Sequence, residues 1–237
     1  TCQMLTAGFE NALPYLPTGA RLYNAAGVHD ASTAELAVGL IIANLRGIDE
    51  AARDMRLGMW RHRQLPALAD KQVLIIGAGG VGEAIRRRLE PFEAEIIMVG
   101  RTARVGVSAS SELDALLPLA DVVILAIPLD DVTTGMVDST FLGRMKDGAL
   151  LVNVARGRVV RSDDLLAELA SGRLRASLDV TDPEPLPIDH PLWSVPGLLV
   201  TPHLGGNSSA FLPRARRLVE GQLHRLSRGD PLINQVS

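Results

Sequence analysis

An apolar run, Val73-Leu-Ile-Ile76, leads directly into Gly77-Ala-Gly79-Gly80-Val81-Gly82. The run reads as a buried β-strand, and the glycines as a turn with G-x-G-x-x-G spacing at Gly77, Gly79 and Gly82. Gly77 permits the tight turn, Gly79 lets the backbone approach a phosphate, and Gly82 lets the following helix pack closely on the strand. That helix reads as amphipathic from Val81 to Leu89. Its first amides carry partial positive charge, which favours an anion. Glycine turns are common, so the spacing alone decides little. With a strand before it and a helix after it, the motif reads as a dinucleotide cradle built from Gly77, Gly79, Gly80, Val81 and Gly82.

The end of the next strand, read at 95–99, sets which dinucleotide fits. An Asp or Glu about 20 residues after the turn would hold the ribose hydroxyls of NAD. Here the strand runs into Gly100-Arg101-Thr102, with Arg104 close behind and no carboxylate. Arg101 and Arg104 can pair with a 2′-phosphate, and Thr102 can donate a hydrogen bond to it. The expectation is NADP in preference to NAD.

Strands and helices then alternate. Strands are expected at 122–126, 149–153, 176–178 and 198–200, with helical stretches at 112–117 and 141–145. Ser162 is expected to cap a helix that runs through Leu165, Leu166 and Leu169 and stops at Gly172, and a last helix covers 212–228. Ahead of the glycine turn, Ser32-Thr-Ala-Glu35 reads as a capping box that opens a long helix ending near Met59. This alternation implies right-handed crossovers and an α/β fold, a doubly wound parallel sheet covered on both faces. Residues 32–206 are expected to form that dinucleotide-binding domain. Residues 1–31 and 207–237 are expected to belong to a second domain built from both chain ends. The first residues read as a strand running into a turn, and a chain that opens this way is expected to follow further structure.

Composition agrees and excludes several classes. The 237 residues can bury a sizeable core, and 47% apolar with only 3% aromatic residues suits buried parallel strands. A net charge of −3 gives no sign of a nucleic-acid or anionic-membrane partner, and Arg86-Arg-Arg88 reads as a solvated helix face. Cys2 is the only cysteine, so intrachain disulfides and thiolate zinc sites are excluded. His29, His62, His190 and His224 show no metal-ligand spacing, and no metal is expected. The longest apolar run, around 36–43, is too short to span a bilayer, and no charged-then-apolar signal opens the chain. These features point to the cytoplasm.

In an open parallel sheet, ligands gather at the carboxyl ends of the strands. Three of those ends are followed by Asn153-Val154-Ala-Arg156-Gly157, by Asp179-Val-Thr-Asp-Pro-Glu184-Pro, and by Thr201-Pro-His203-Leu-Gly205. One arginine, two carboxylates and one histidine thus converge on one crevice. Reduction of a 2-oxo acid by hydride needs such a set. Arg156 can hold the substrate carboxylate and polarise its carbonyl. His203 can supply the hydroxyl proton. Glu184 beside it would favour the charged ring and fix its orientation. Asp179 can accept a hydrogen bond from the nicotinamide amide.

Taken together, these motifs resemble the D-isomer-specific 2-hydroxyacid dehydrogenases. The resemblance rests on the glycine turn, Ile127-Pro128-Leu129, Asn153-Val-Ala-Arg156-Gly157, 178–186 and Thr201-Pro-His203, and within the family it is strongest to the glyoxylate/hydroxypyruvate reductase branch. It implies a Rossmann domain with a flavodoxin-like substrate domain that is incomplete here. It implies Arg156, Glu184 and His203 as the catalytic set. It adds Pro128, Val154, Asp179 and Gly205 on the cofactor side, and Ala7 and Gly8 as amides that meet the substrate carboxylate. It also implies a homodimer joined through the cofactor domain and its first helix. Glu184 argues against the formate dehydrogenases of the same fold group, which carry glutamine there. Two other readings share the fold: a dinucleotide-sensing, corepressor-like binding protein, and an inactive truncated paralogue.

Overall fold

The computed structural model describes residues 1–236. Two short strands, β1 (Cys2–Gln3) and β2 (Leu22–Tyr23), precede the helices α1 (Asp30–Leu45) and α2 (Ile48–Arg56). An alternation follows: β3 (Gln72–Ile76), α3 (Gly80–Leu89), β4 (Glu95–Gly100), β5 (Ser108–Ala109), α4 (Leu113–Leu116), β6 (Val122–Leu125), α5 (Ser139–Arg144), β7 (Leu150–Asn153), α6 (Ser162–Ala170), β8 (Arg175–Leu178) and β9 (Leu198–Val200). The helix α7 (Phe211–Arg228) comes last.

Strands β3 to β9 form one parallel sheet in the order β5-β4-β3-β6-β7-β8-β9. The chain first builds outward from β3 to β5, then crosses to β6 and builds the other way. The reversal lies between β3 and β6, where a doubly wound sheet opens its ligand crevice. Side chains alternate across the sheet, as the two-residue period requires. Leu74, Ile76, Val123, Leu125 and Leu151 face α5 and α6 through Phe141, Leu142, Leu165 and Leu169. Val73, Ile75, Val122, Ile124 and Val152 face α1 and α3 through Leu40, Ile41, Ile85 and Leu89. Both faces are dry, which explains why the strands read as unbroken apolar runs. β1 and β2 pair in parallel as a separate two-stranded sheet.

Several local expectations are corrected. α1 begins at Asp30 with His29 at its N-cap, so Ser32 is not the cap. Ser32 is buried, and its hydroxyl lies 2.6 Å from that of Ser208, while Glu35 pairs with Arg88 at 3.3 Å. Tertiary partners have taken both members of the expected box. The long helix breaks at Gly47, whose φ of +57° only glycine adopts freely, and α2 leaves at 64° to α1. Ser162 is the first residue of α6, with Arg161 at the N-cap, and its hydroxyl donates to the Asp182 carbonyl at 2.6 Å. The 112–117 helix shrinks to the single turn of α4. The sheet also gains β5, a two-residue edge strand too short to leave a periodic trace. Among the described residues, no single helix is long and apolar enough to cross a membrane.

Candidate active site

The glycine turn is shaped by close approaches. Gly77 has a φ of +117°, and a Cβ there would overlap the Ala126 carbonyl at the end of β6. A Cβ on Gly82 would overlap the Gly77 carbonyl oxygen, so α3 packs directly on the turn. Gly79 is different: nothing lies within 4 Å of where its Cβ would stand. A turn closed beneath and open above Gly79, with the first amides of α3 at Gly80, Val81 and Gly82, fits a pyrophosphate.

The residues expected to meet a 2′-phosphate lie just past the end of β4. Arg101 is largely exposed and pairs with Asp130 at 2.6 Å. Arg104 turns back over the cradle and donates to the Ala78 carbonyl at 2.7 Å. Thr102 is exposed between them. Pro128, after β6, is exposed, and its carbonyl accepts from Thr133 Oγ1 at 2.8 Å.

Beyond the turn lies a cavity of about 330 Å³ at the strand ends. It gathers Val81 from the cradle, Val154 and Arg156 from the loop after β7, and Asp179, His203 and Gly205 from the loops after β8 and β9. Ala7 and Gly8 close its far side. The residues read from separate strand ends therefore meet in one place.

Each is held by local chemistry. Fully buried Asn153 donates to the Arg156 carbonyl (2.9 Å) and accepts from the Ala155 amide (3.0 Å), which fixes the turn that presents Arg156. The Arg156 guanidinium donates to the Ala155 carbonyl at 2.7 Å and stands against Gly8, where a Cβ would overlap its Nη2. Its Nε lies 3.8 Å from Glu10 Oε1. Gly157 packs so closely on the Thr181 carbonyl that a Cβ would overlap it, and this brings the Arg156 loop against the segment that leads to Glu184.

Asp179 is only 3% exposed and works mainly as a scaffold. Its Oδ1 accepts from Thr201 Oγ1 (2.6 Å) and the Leu204 amide (2.7 Å), and its Oδ2 accepts from the Gly205 amide (2.8 Å). These bonds tie down the loop carrying His203, whose φ of +53° is unusual for a residue with a Cβ. His203 Nδ1 lies 2.5 Å from Glu184 Oε1, with both side chains half-exposed.

Some cavity residues have no site role legible in the sequence. Thr33 and Asn207 line the wall, and His29 stacks on Phe211 there. Their positions depend on how both chain ends pack on the sheet. The one available signal was a histidine just ahead of a helix start.

A family model described as "D-isomer specific 2-hydroxyacid dehydrogenase, NAD binding domain" matches residues 38–205. The chain belongs to the D-isomer-specific 2-hydroxyacid dehydrogenase family. Its sequence is 34% identical over 217 residues to the human glyoxylate reductase/hydroxypyruvate reductase, covering 86% of this chain and 66% of that one. It is 35% identical to the mouse protein of the same name over 200 residues, covering 79% of this chain and 61% of the mouse one. The chain therefore spans just under two thirds of the length of these two relatives. Among solved D-2-hydroxyacid dehydrogenases, the NADPH-dependent glyoxylate/hydroxypyruvate reductase of Sinorhizobium meliloti, in complex with NADP and sulfate, superposes with a TM-score of 0.88 at 29% identity, covering 99% of this chain and 78% of that one. The Xanthobacter autotrophicus Py2 family member, in complex with NADPH and MES, superposes with a TM-score of 0.87 at 28% identity, covering 100% and 78%.

Proposed function

We propose that this chain carries the reducing site of an NADP-preferring oxidoreductase that converts a small 2-oxo acid to the D-2-hydroxy acid. Glyoxylate, hydroxypyruvate or a longer 2-oxo acid is the substrate class. One observation carries the reading: Arg156 and His203 line the same cavity as the Ala7–Gly8 backbone, with Glu184 2.5 Å behind the histidine ring.

Each group then has a role. The Ala7 and Gly8 amides and the Arg156 fork bind the substrate carboxylate, and Arg156 polarises the carbonyl to be reduced. Glu184 accepts from Nδ1 of His203, which orients the ring so that Nε2 delivers the proton to the new hydroxyl. Gly77 to Gly82 seat the pyrophosphate, Arg101, Thr102 and Arg104 take the 2′-phosphate, and Asp179 keeps lone-pair capacity for the nicotinamide amide. The cofactor, when bound, supplies the hydride. Residues 32–206 act as the dinucleotide domain, and 1–31 with 207–237 as parts of the substrate domain. The reading includes a homodimer in the cytoplasm and a small-molecule substrate, with no nucleic-acid or membrane partner.

Steady-state oxidation of NADPH and NADH across a panel of 2-oxo acids, with chiral analysis of the product, tests this reading. Turnover faster with NADPH and giving the D-isomer supports it. Binding of NADPH without turnover of any acid would favour a dinucleotide-sensing binding protein or an inactive paralogue.

A further inference from the structure

One ring in the cavity wall touches both ends of the chain. His29, at the N-cap of α1, places Nε2 2.9 Å from the Leu5 carbonyl and Nδ1 3.2 Å from the Gly206 carbonyl. The ring stacks on Phe211 with centroids 5.1 Å apart and planes 16° from parallel. Gly206 leaves no slack, since a Cβ there would come within 2.7 Å of Nδ1.

Both partners are backbone carbonyls, which only accept hydrogen bonds. A neutral imidazole carries a single N–H and satisfies one of them; the imidazolium satisfies both. Leu5 immediately precedes Thr6-Ala7-Gly8, and Gly206 lies three residues beyond His203. The two bonds therefore join the loop that receives the substrate carboxylate to the loop that carries the proton donor.

We propose that His29 is a positioning residue of the reduction, a clamp that sets the Ala7–Gly8 loop against the His203 loop and is complete only when both ring nitrogens carry hydrogen. This rests on the function proposed above. The titratable groups around the same space are Glu10 on the Ala7–Gly8 loop, Asp30 next to His29 on α1 and turned to Gly80, and Arg156, Asp179 and His203 on the strand-end loops. Among the described residues, no carboxylate oxygen lies within 4.0 Å of a His29 nitrogen, so the two carbonyls are the partners that read its charge.

His29→Phe keeps an aromatic ring against Phe211 and removes both donors. The variant is expected to raise KM for the 2-oxo acid about tenfold, the scale of one or two lost hydrogen bonds. It should change kcat by less than about threefold and the NADPH Kd by less than about twofold. In the wild type, KM is expected to rise as the ring loses its second proton, a rise missing from the variant. NMR reads the clamp without turnover: in a pH titration, the Thr6 and Asn207 amides, which share peptide planes with the two carbonyls, should shift together with the His29 ring protons. Superposable KM–pH profiles for wild type and variant would overturn the proposal, as would Thr6 and Asn207 amides that ignore the His29 titration. If the wild type turns over no 2-oxo acid, the dehydrogenase reading falls, and the NMR titration alone decides the clamp.

Discussion

Glu184 Oε1 stands 2.5 Å from Nδ1 of His203, while Nε2 of the same ring has no hydrogen-bond partner among the described residues. One nitrogen is thus committed to the carboxylate and the other is left for the cavity. Glu184→Ala is expected to lower kcat by about 10²-fold at saturating NADPH, because the ring loses both its orientation and its charge partner. Glu184→Gln keeps an acceptor near Nδ1 and should lose less. Equal rates in all three proteins would remove Glu184 from the mechanism.

Gly8 and Arg156 are packed so that only a residue without a Cβ leaves the guanidinium where it is. Gly8→Ala should push the flexible end of Arg156 aside. The expected outcome is a rise in KM for the 2-oxo acid of about tenfold or more, the scale of a lost charge-assisted hydrogen bond, with NADPH affinity little changed. Steady-state kinetics with titration of NADPH fluorescence separates the two effects.

Arg101 is held by Asp130 at 2.6 Å on an exposed surface. Such a pair contributes little by itself and can exchange for a 2′-phosphate. Arg101→Ala is expected to weaken NADPH by about tenfold and NADH by less than about twofold, from the loss of one charge-assisted contact. Parallel binding titrations check this, and equal losses would mean that Arg101 reads no phosphate.

Asp121 fastens the opposite end of the sheet. Burial by itself raises its carboxyl, but a hydrogen bond from Lys146 (2.8 Å), the Gln72 amide (3.0 Å) and nearby Lys71 outweigh this and hold it below the ordinary carboxylate range. A carboxylate depressed on folding adds stability above its unfolded pKa, and that stability is lost as pH falls through the folded value. Asp121→Asn should therefore cost about 1–3 kcal/mol at pH 7, the worth of hydrogen bonds to a charged group. The gap to wild type should narrow as the pH drops below about 4. Urea unfolding at pH 7 and pH 3 measures both gaps, and a gap that stays constant with pH would contradict the assignment.

What was legible in the chain followed from local rules. Runs such as Val73–Ile76 reveal buried parallel strands because both faces lose their polar residues, and the glycine spacing marks the turn between strand and helix. The convergence of Arg156, Glu184 and His203 could be inferred because parallel strands deliver their trailing loops to one edge. Ser32 and Ser162 misled because each finds a distant partner, Ser208 and the Asp182 carbonyl, that no local window contains. The part His29 plays is hidden for the same reason, since both of its carbonyl partners lie at other points of the chain. Asp179 reads as a ligand contact from its place at a strand end, and its further use in holding the loop after β9 is visible only once that loop is folded.

The most direct measurement is NADPH oxidation with a 2-oxo acid by wild type and His203→Ala, run alongside NADPH binding. The expected result is turnover by the wild type, a loss of about 10²-fold or more in kcat for the variant, and the same NADPH affinity in both. Unchanged turnover in the variant would contradict the assignment of the proton donor, and with it the reducing site built around Arg156 and Glu184.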